Sequence, residues 1–241
     1  MQLAQHSLRD VDAVDTDLAL LPVGSTEQHG PHAPLGVDFL TAEAIAAAGS
    51  EAYRDDYERE VVVAPTIPVG IAAEHRDFAG TLWVEPDTFR SYVGETIESL
   101  FHHGFERVVV VNGHGGNTNA LRECCGRLSR DRDAYAVAYT WFDAVDSMEL
   151  GHGGAAETSL IRHLHPGMVD EDRTDEAAAG ASDGWGEWVS GSNLAYDSSE
   201  FTDSGVVGDP REGDAALGEQ LLEEAVEALV ALLKAVASRE R

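Results

Sequence analysis

Four short apolar runs alternate with longer segments of helical character, and this alternation constrains the fold more than any other feature of the chain. The runs are LALLPV (18–23), VVVAPTI (61–67), RVVVVN (107–112) and AYAVAYT (134–140). Continuous apolar character over so few residues is typical of strands that are buried on both faces. Such strands, separated by helices, predict an α/β sandwich around a mostly parallel sheet.

Helical segments lie between and after these strands. We expect one helix to begin with Thr41 as its N-cap and another with Asn117 as its N-cap. Further helices are predicted within 85–104, 155–165 and 212–240. The stretch 170–210 is rich in Gly, Ser and Asp and predicts ordered loops over a site or at a subunit contact. Whether 181–203 forms a lid or an interface stays open, and residues 1–241 are expected to form a single domain.

The charge balance is strongly acidic. The chain has 44 acidic and 16 basic residues, a formal net charge of −28, and Lys234 is its only lysine. A surface of this kind repels itself at low salt and is screened at high salt, which favours adaptation to a salty cytoplasm. An acidic protein from an ordinary cell is the alternative. Either way, the field opposes binding to nucleic acid or to an anionic membrane.

The N-terminal residues and the cysteines point to one compartment. MQLAQHSLRDVDAVD has no basic stretch followed by an apolar run, so no signal peptide is predicted, and no apolar run reaches membrane-spanning length. The adjacent Cys124 and Cys125 are not expected to form a disulfide. We therefore expect a reduced, cytoplasmic protein.

Metal-binding types of side chain follow three of the predicted strands. Because open α/β sheets bind ligands outside the carboxyl ends of their strands, these residues are expected to converge at one edge. Two imidazoles and three carboxylates without thiolates suit Zn²⁺, Mn²⁺ or Fe²⁺, and the set is large enough for two ions. A hydroxide held between two ions, with the carbonyl polarised at the same time, would hydrolyse an amide. The predicted ligands are Glu27, His29, Asp38, His114 and Glu157.

Each of these residues also has a structural interpretation. Asp38 can cap the helix near Thr41, Glu157 can answer a helix dipole, and the two histidines can be loop residues bonded to backbone. Taken singly these readings are the better ones; taken together, five coincidences on strand-end loops favour a metal site. Competing motifs fail: Thr118 occupies the third glycine position of a nucleotide-binding fingerprint, and neither a Gly-x-Ser-x-Gly elbow nor a Walker lysine is present.

Five ordered motifs resemble those of the creatininase, or creatinine amidohydrolase, family. They are LPVGSTEQHGPHAPLGVD, AEHRDFAGT, VVVNGHGGN, HGGAAETS and SGVVGDP, and they run from about Leu18 to the last helix. The resemblance implies a three-layer α/β/α sandwich, two divalent metals, hydrolysis of a small-molecule amide and a homo-oligomer such as a hexamer. It also implies that the five ligands above hold the metals, with Asp38 as the bridge.

The same resemblance assigns further residues. His152 matches a histidine that lines the site and is the candidate for proton transfer to the leaving nitrogen, with a bracing role as the alternative. Residues at motif positions near the pocket are predicted to contact substrate, with interface packing open for the two histidines: His32, His75, Gly116 and Asn117.

Two departures from creatininase itself bear on the substrate. Creatininase has a glutamate where this chain has Gly116, and several relatives have an acid where this chain has Ala155. Members with NGHGGN include an archaeal deformylase of a formylaminopyrimidine ribotide in flavin and deazaflavin biosynthesis, and this is the specific activity we expect. The alternatives are cyclic-amide hydrolysis, a cofactor-maturation peptidase, a non-catalytic metal-binding member and, last, a phosphoesterase.

Overall fold

Four parallel strands form the central sheet in a computed structural model that describes residues 1–145 and 151–240. Their order across the sheet is β2-β1-β3-β4. Leu18 of the first strand is in register with Arg107 of the third, and Arg107 in turn with Tyr135 of the fourth. The strands are β1 (Leu18–Val23), β2 (Val62–Val63), β3 (Arg107–Asn112) and β4 (Tyr135–Thr140).

Helices cover both faces of this sheet. Because successive side chains of a strand point to opposite faces, Leu18 and Leu20 pack with α2, α5 and α7, whereas Ala19 and Leu21 pack with α3 and α4. The predicted α/β fold with helices on both sides is therefore confirmed. The helices are α1 (Leu8–Asp12), α2 (Val37–Tyr57), α3 (Pro86–His102), α4 (Thr118–Asp131), α5 (Ala155–Leu164), α6 (Thr174–Ala179) and α7 (Ala215–Ala237).

The second strand is shorter than its apolar run predicts. Only Val62 and Val63 pair with β1, although the prediction covered 61–67. Pro65 has no N–H to donate to a neighbouring strand, and the ladder breaks before it. Ile67 resumes contact with β1 as an isolated bridge to Val23. Residues 61–64 and Ile67 are therefore buried at the sheet edge, whereas Pro65 is exposed, and the run does not form one continuous strand.

The predicted N-cap Thr41 is wrong, whereas Asn117 occupies the predicted N-cap position of α4 without a capping bond, and both findings concern the site. The helix α2 begins at Val37 rather than after Thr41, so Asp38 lies in its first turn. Asn117 precedes α4, but its side chain makes no capping bond; it donates to the Gly24 carbonyl and accepts from the Ile71 N–H, each at 3.0 Å. These bonds fix the loops that follow β1 and β2.

Two glycines let the sheet edge approach the start of α2. A side chain at Gly113 would overlap the Asp38 backbone, and one at Gly24 would overlap the backbone of Asp38 and Phe39. Since neither glycine carries one, the ends of β1 and β3 lie directly against the first turn of α2. This contact brings Asp38 to the carboxyl edge of the sheet.

The segment 170–210 wraps over that edge. It contains α6 and a short antiparallel hairpin, β5 (Trp188–Val189) and β6 (Ser192–Asn193). Val207 exchanges backbone hydrogen bonds with His152, at 2.8 and 2.9 Å, which attaches the segment to the residues before α5. Within 1–145 and 151–240, no helix has both the length and the apolar character needed to cross a bilayer.

Candidate metal centre

The five predicted ligands lie together at the carboxyl edge of the sheet. The loop after β1 carries two of them, α2 and the loop after β3 carry one each, and α5 carries the fifth. All five side chains are almost completely buried: Glu27, His29, Asp38, His114 and Glu157. The predicted convergence of strand-end residues is thus what the structure shows.

Asp38 lies at the middle of the cluster. Its Oδ1 is 3.1 Å from His29 Nε2, and its Oδ2 is 3.3 Å from His114 Nδ1. The two oxygens therefore face two different imidazoles. A carboxylate in this position can serve two cations at once, one through each oxygen.

Glu27 is the residue whose contacts point most directly to a cation. It is 0% exposed, and neither side-chain oxygen has a hydrogen-bond partner. Three imidazole nitrogens surround Oε1: His114 Nδ1 at 3.2 Å, His75 Nε2 at 3.4 Å and His152 Nδ1 at 3.9 Å. Because a buried carboxylate without hydrogen bonds is costly, these oxygens suit a metal ion.

Glu157 closes the opposite side. Its Oε2 is 3.7 Å from His29 Nε2 and accepts a 2.6 Å hydrogen bond from the Gly153 N–H. It lies in the first turn of α5, so the helix-dipole interpretation also describes its position. Both readings hold for the same side chain, because the helix end that stabilises Glu157 also directs it at His29.

Within the described residues, three groups bring potential ligand atoms within 4.8 Å of one another. Two share Asp38, which matches the bridging role that the resemblance implied. The third adds His152, which the sequence assigned to proton transfer, to Glu27 and His29. The groups are Glu27–Asp38–His114, His29–Asp38–Glu157 and Glu27–His29–His152.

Burial and mutual charge shift the titration of these groups. Burial opposes the charged form of His29 and of His114, but neighbouring carboxylates outweigh it and raise both pKa values well above the usual histidine value. Burial likewise opposes ionisation of Asp38, yet the two imidazoles lower its pKa. For Glu27, burial prevails and raises the pKa. The carboxylates therefore favour positive charge beside them, which protonated His29 and His114 supply when no metal is bound.

Two further histidines lie beside the cluster and are neutral. Burial, followed by the charges of nearby histidines, lowers the pKa of both His75 and His152. The His152 ring contacts both His29 and His75, and its centroid is 4.3 Å from each of their ring centroids. A neutral imidazole carries a proton on one ring nitrogen and can accept a hydrogen bond at the other.

A cavity of about 730 Å³ opens onto the cluster. Among the residues that the structure describes, those lining the cavity include seven carboxylates and neither lysine nor arginine. Of the predicted site residues, seven line it: Glu27, Asp38, His75, His114, Gly116, His152 and Glu157. An anionic group would therefore find neither a lysine nor an arginine among the described residues around it.

Two residues predicted to contact substrate do not line this cavity. The His32 ring is buried behind α5, where Nε2 is 2.8 Å from Thr158 Oγ1. Asn117 is buried in the loop contacts described above. Both side chains contact neighbouring protein groups away from the cavity, so a direct contact with substrate is not expected for either.

Sequence reasoning missed three residues of the site. Glu74 lines the cavity with its Oε1 3.7 Å from His114 Nε2, and Trp185 lines it from the wrapping segment. The side chain of Gln28 contacts both neutral histidines at 3.0 Å. The sequence offered a signal for two of them: Gln28 lies between two predicted ligands, and Glu74 directly precedes the predicted site residue His75.

Comparison with known proteins extends this geometry. The family model for creatininase, described as creatinine amidohydrolase, matches residues 2–233. A mycofactocin precursor peptide peptidase of Mycolicibacterium smegmatis is 36% identical over 214 residues, covering 87% of this chain and 81% of its own. A creatinine amidohydrolase of Pseudomonas putida is 30% identical over 64% of this chain and 66% of its own.

Solved structures agree on the fold. A candidate creatinine amidohydrolase from Bacteroides fragilis superimposes with a TM-score of 0.84 at 25% identity, covering 100% of this chain and 97% of its own. A manganese creatininase gives 0.81 at 24% identity, covering 97% of each chain. Family model, relatives and structures concur, and the chain belongs to the creatininase family of metal-dependent amidohydrolases.

Proposed function

We propose that this protein hydrolyses a peptide-type amide bond at the buried cluster, with divalent metal ions held by the five predicted ligands. The observation that carries the proposal is the Glu27 carboxylate, wholly buried with no hydrogen bond to either oxygen. Asp38 would be shared between two ions through its two oxygens. The ligand set is Glu27, His29, Asp38, His114 and Glu157.

Bound divalent ions would supply an activated water and a polarised substrate carbonyl. The mixture of carboxylate and imidazole suits Zn²⁺, Mn²⁺ or Fe²⁺. Related structures include a manganese creatininase and a Zn–Zn creatininase mutant. Both support divalent metal at this kind of site, and we propose two ions here.

We assign proton transfer to His152. Its Nε2 is 2.7 Å from the Gln28 backbone carbonyl, an oxygen that can only accept, so this nitrogen carries the proton. Its Nδ1 is left with a lone pair, 3.9 Å from Glu27 Oε1 at the cavity wall. A neutral imidazole in this tautomer can take a proton there and return it to a leaving nitrogen.

The choice of a peptide substrate rests on similarity and on cavity charge. The mycofactocin precursor peptide peptidase is 36% identical across most of this chain. The formylaminopyrimidine ribotide that we expected from the sequence carries a phosphate, and the described lining has no arginine or lysine to meet it. A short peptide or its cationic terminus does not conflict with the four lining carboxylates outside the proposed ligand set, Glu74, Asp183, Asp209 and Glu212. The same charge disfavours a phosphoesterase.

Metal reconstitution followed by a substrate screen tests the proposal. We expect the purified protein, loaded with Mn²⁺, Zn²⁺ or Fe²⁺ at molar salt, to cleave short peptides and to leave a ribotide formamide and creatinine intact. His114→Ala should lose both metal and cleavage, whereas His102→Ala, an exposed histidine of α3, should keep both. Bound metal without cleavage of any amide would instead identify a non-catalytic member.

A further inference from the structure

The buried side chain of Gln28 connects two histidines of the site. Its amide nitrogen is 3.0 Å from His75 Nδ1, 3.0 Å from His152 Nε2 and 2.8 Å from the Gly205 carbonyl. Its oxygen accepts from the Gly30 N–H at 2.8 Å, which fixes the orientation of the amide. Gly205 has a φ of +80°, and a side chain there would overlap the Gln28 amide. The chain thus keeps space for this side chain.

Each of the two N–H groups of the Gln28 side chain has one available acceptor. His152 Nε2 already carries a proton for the Gln28 backbone carbonyl, so it cannot also accept. The two amide hydrogens are left with two acceptors, the Gly205 carbonyl and His75 Nδ1. His75 Nδ1 is therefore a hydrogen-bond acceptor and carries no proton.

The hydroxyl of Ser198 also contacts this nitrogen. Ser198 Oγ is 3.0 Å from His75 Nδ1 and 3.0 Å from the Glu74 carbonyl. The hydroxyl donates to the Glu74 carbonyl, and because His75 Nδ1 already accepts from Gln28, the serine oxygen receives no proton from His75. The neutral ring must then hold its proton on Nε2. That nitrogen faces Glu27 Oε1 at 3.4 Å.

We propose that His75 is a positioning residue for Glu27: Gln28 and Ser198 hold its ring so that the Nε2–H points at this carboxylate and aligns it for metal binding. The contact is long for a hydrogen bond but within range of charge–dipole attraction in a buried site. Ordered partners of this kind set the orientation of metal ligands. The inference rests on the proposed metal centre and is independent of which amide is cleaved.

The geometry separates this role from direct ligation. Among the described residues, the groups with metal-ligand spacing around Glu27 include His29, Asp38, His114 and His152 but not His75. The ring is 1% exposed and stacks on His152 with an interplanar angle of 20°. His75 also lines the cavity, so its predicted substrate contact stays a prediction beside this positioning role.

Nitrogen NMR of the metal-free, ¹⁵N-labelled protein above neutral pH tests the tautomer without substrate or metal. We expect the His75 ring, assigned by its loss in His75→Gln, to show a protonated Nε2 and a bare Nδ1. In Ser198→Ala the tautomer should persist, because Gln28 still donates. A proton on Nδ1 in the wild-type protein would overturn the proposal.

Measurements of metal affinity test whether His75 aligns the Glu27 carboxylate. In competition with a chelator, His75→Phe should weaken Mn²⁺ binding by about 10–100-fold while the number of ions bound at saturation stays the same. His75→Gln, which retains a side-chain N–H, should recover part of the affinity, and His102→Phe should match the wild type. Unchanged affinity in His75→Phe, or loss of one whole equivalent of metal, refutes positioning. Failure of the peptide screen would leave these readouts unaffected.

Discussion

Asp38→Asn is the substitution that most directly tests the proposed centre. The change keeps the size of the side chain and removes one negative charge from two of the three ligand groups. The amide also presents an NH₂ group toward either His29 or His114, where a carboxylate oxygen now stands. An NH₂ group cannot bind a cation, so one of the two positions loses its shared ligand.

The size of the effect follows from linkage between metal binding and folding. Metal at about 100 times its Kd adds about 2.7 kcal/mol to the free energy of unfolding. For a chain of 241 residues, an unfolding entropy of about 500 cal/mol/K converts this into a rise in Tm of about 5 °C. If Asp38→Asn weakens the Kd by about 100-fold, the same metal concentration adds only about 0.4 kcal/mol, and the rise falls below about 1 °C.

Calorimetry of chelator-treated protein, with and without Mn²⁺ or Zn²⁺, measures both values. The matched control is Asp55→Asn, the same change on the exposed part of the same helix, where the wild-type rise of about 5 °C should persist. If Asp38→Asn gains as much Tm from metal as Asp55→Asn does, the buried cluster is not where the metal binds.

Three further outcomes are expected. His152→Asn should lower kcat for the cleaved peptide by about 10²–10⁴-fold with bound metal unchanged by elemental analysis; loss of metal alongside kcat would make His152 a ligand. Gly116→Ala should cost about 1–3 kcal/mol in denaturant unfolding because its methyl group overlaps the Ile71 carbonyl, whereas Gly115→Ala meets nothing within 4 Å and should be neutral. Burial lowers the pKa of His32 from 6.5 to about 4. The unfolded chain therefore binds more protons between these values, and His32 should contribute a fall in stability on the order of 3 kcal/mol as pH drops through this window. Because His75 and His152 also have lowered pKa values, His32→Gln should reduce the slope in an unfolding titration by about one proton rather than abolish it.

The two central strands were predictable because they are buried on both faces. Residues 18–23 and 107–112 form strands with the predicted bounds, since an uninterrupted apolar run admits few other placements. The run 61–67 was overpredicted because periodicity does not reveal that it lies at a sheet edge, where Pro65 ends the pairing. The oligomer and the cytoplasmic location stay predictions.

The ligand set was predictable for a different reason. Parallel strands send all their carboxyl ends to one edge, so residues as distant as Glu27 and Glu157 meet without any local signal. The supporting residues were not predictable. Gln28 touches His152 and Gly205, 124 and 177 positions away along the chain, and no pattern near position 28 encodes those contacts. Asn117 occupies the predicted N-cap position of α4, but its side chain makes no capping bond because long-range bonds engage its amide.

Acidic residues act in two different ways in this chain, and the difference bears on the substrate. Most contribute to a surface charge of one sign, which salt of about 1 M screens within about 3 Å. Glu27 and Asp38 are buried, so salt does not weaken their attraction for a cation. At the cavity, high salt would remove the general repulsion of an anion without providing the fixed donors that a phosphate requires. Even in a salty cytoplasm, therefore, the described lining favours a neutral or cationic amide over a phosphorylated one.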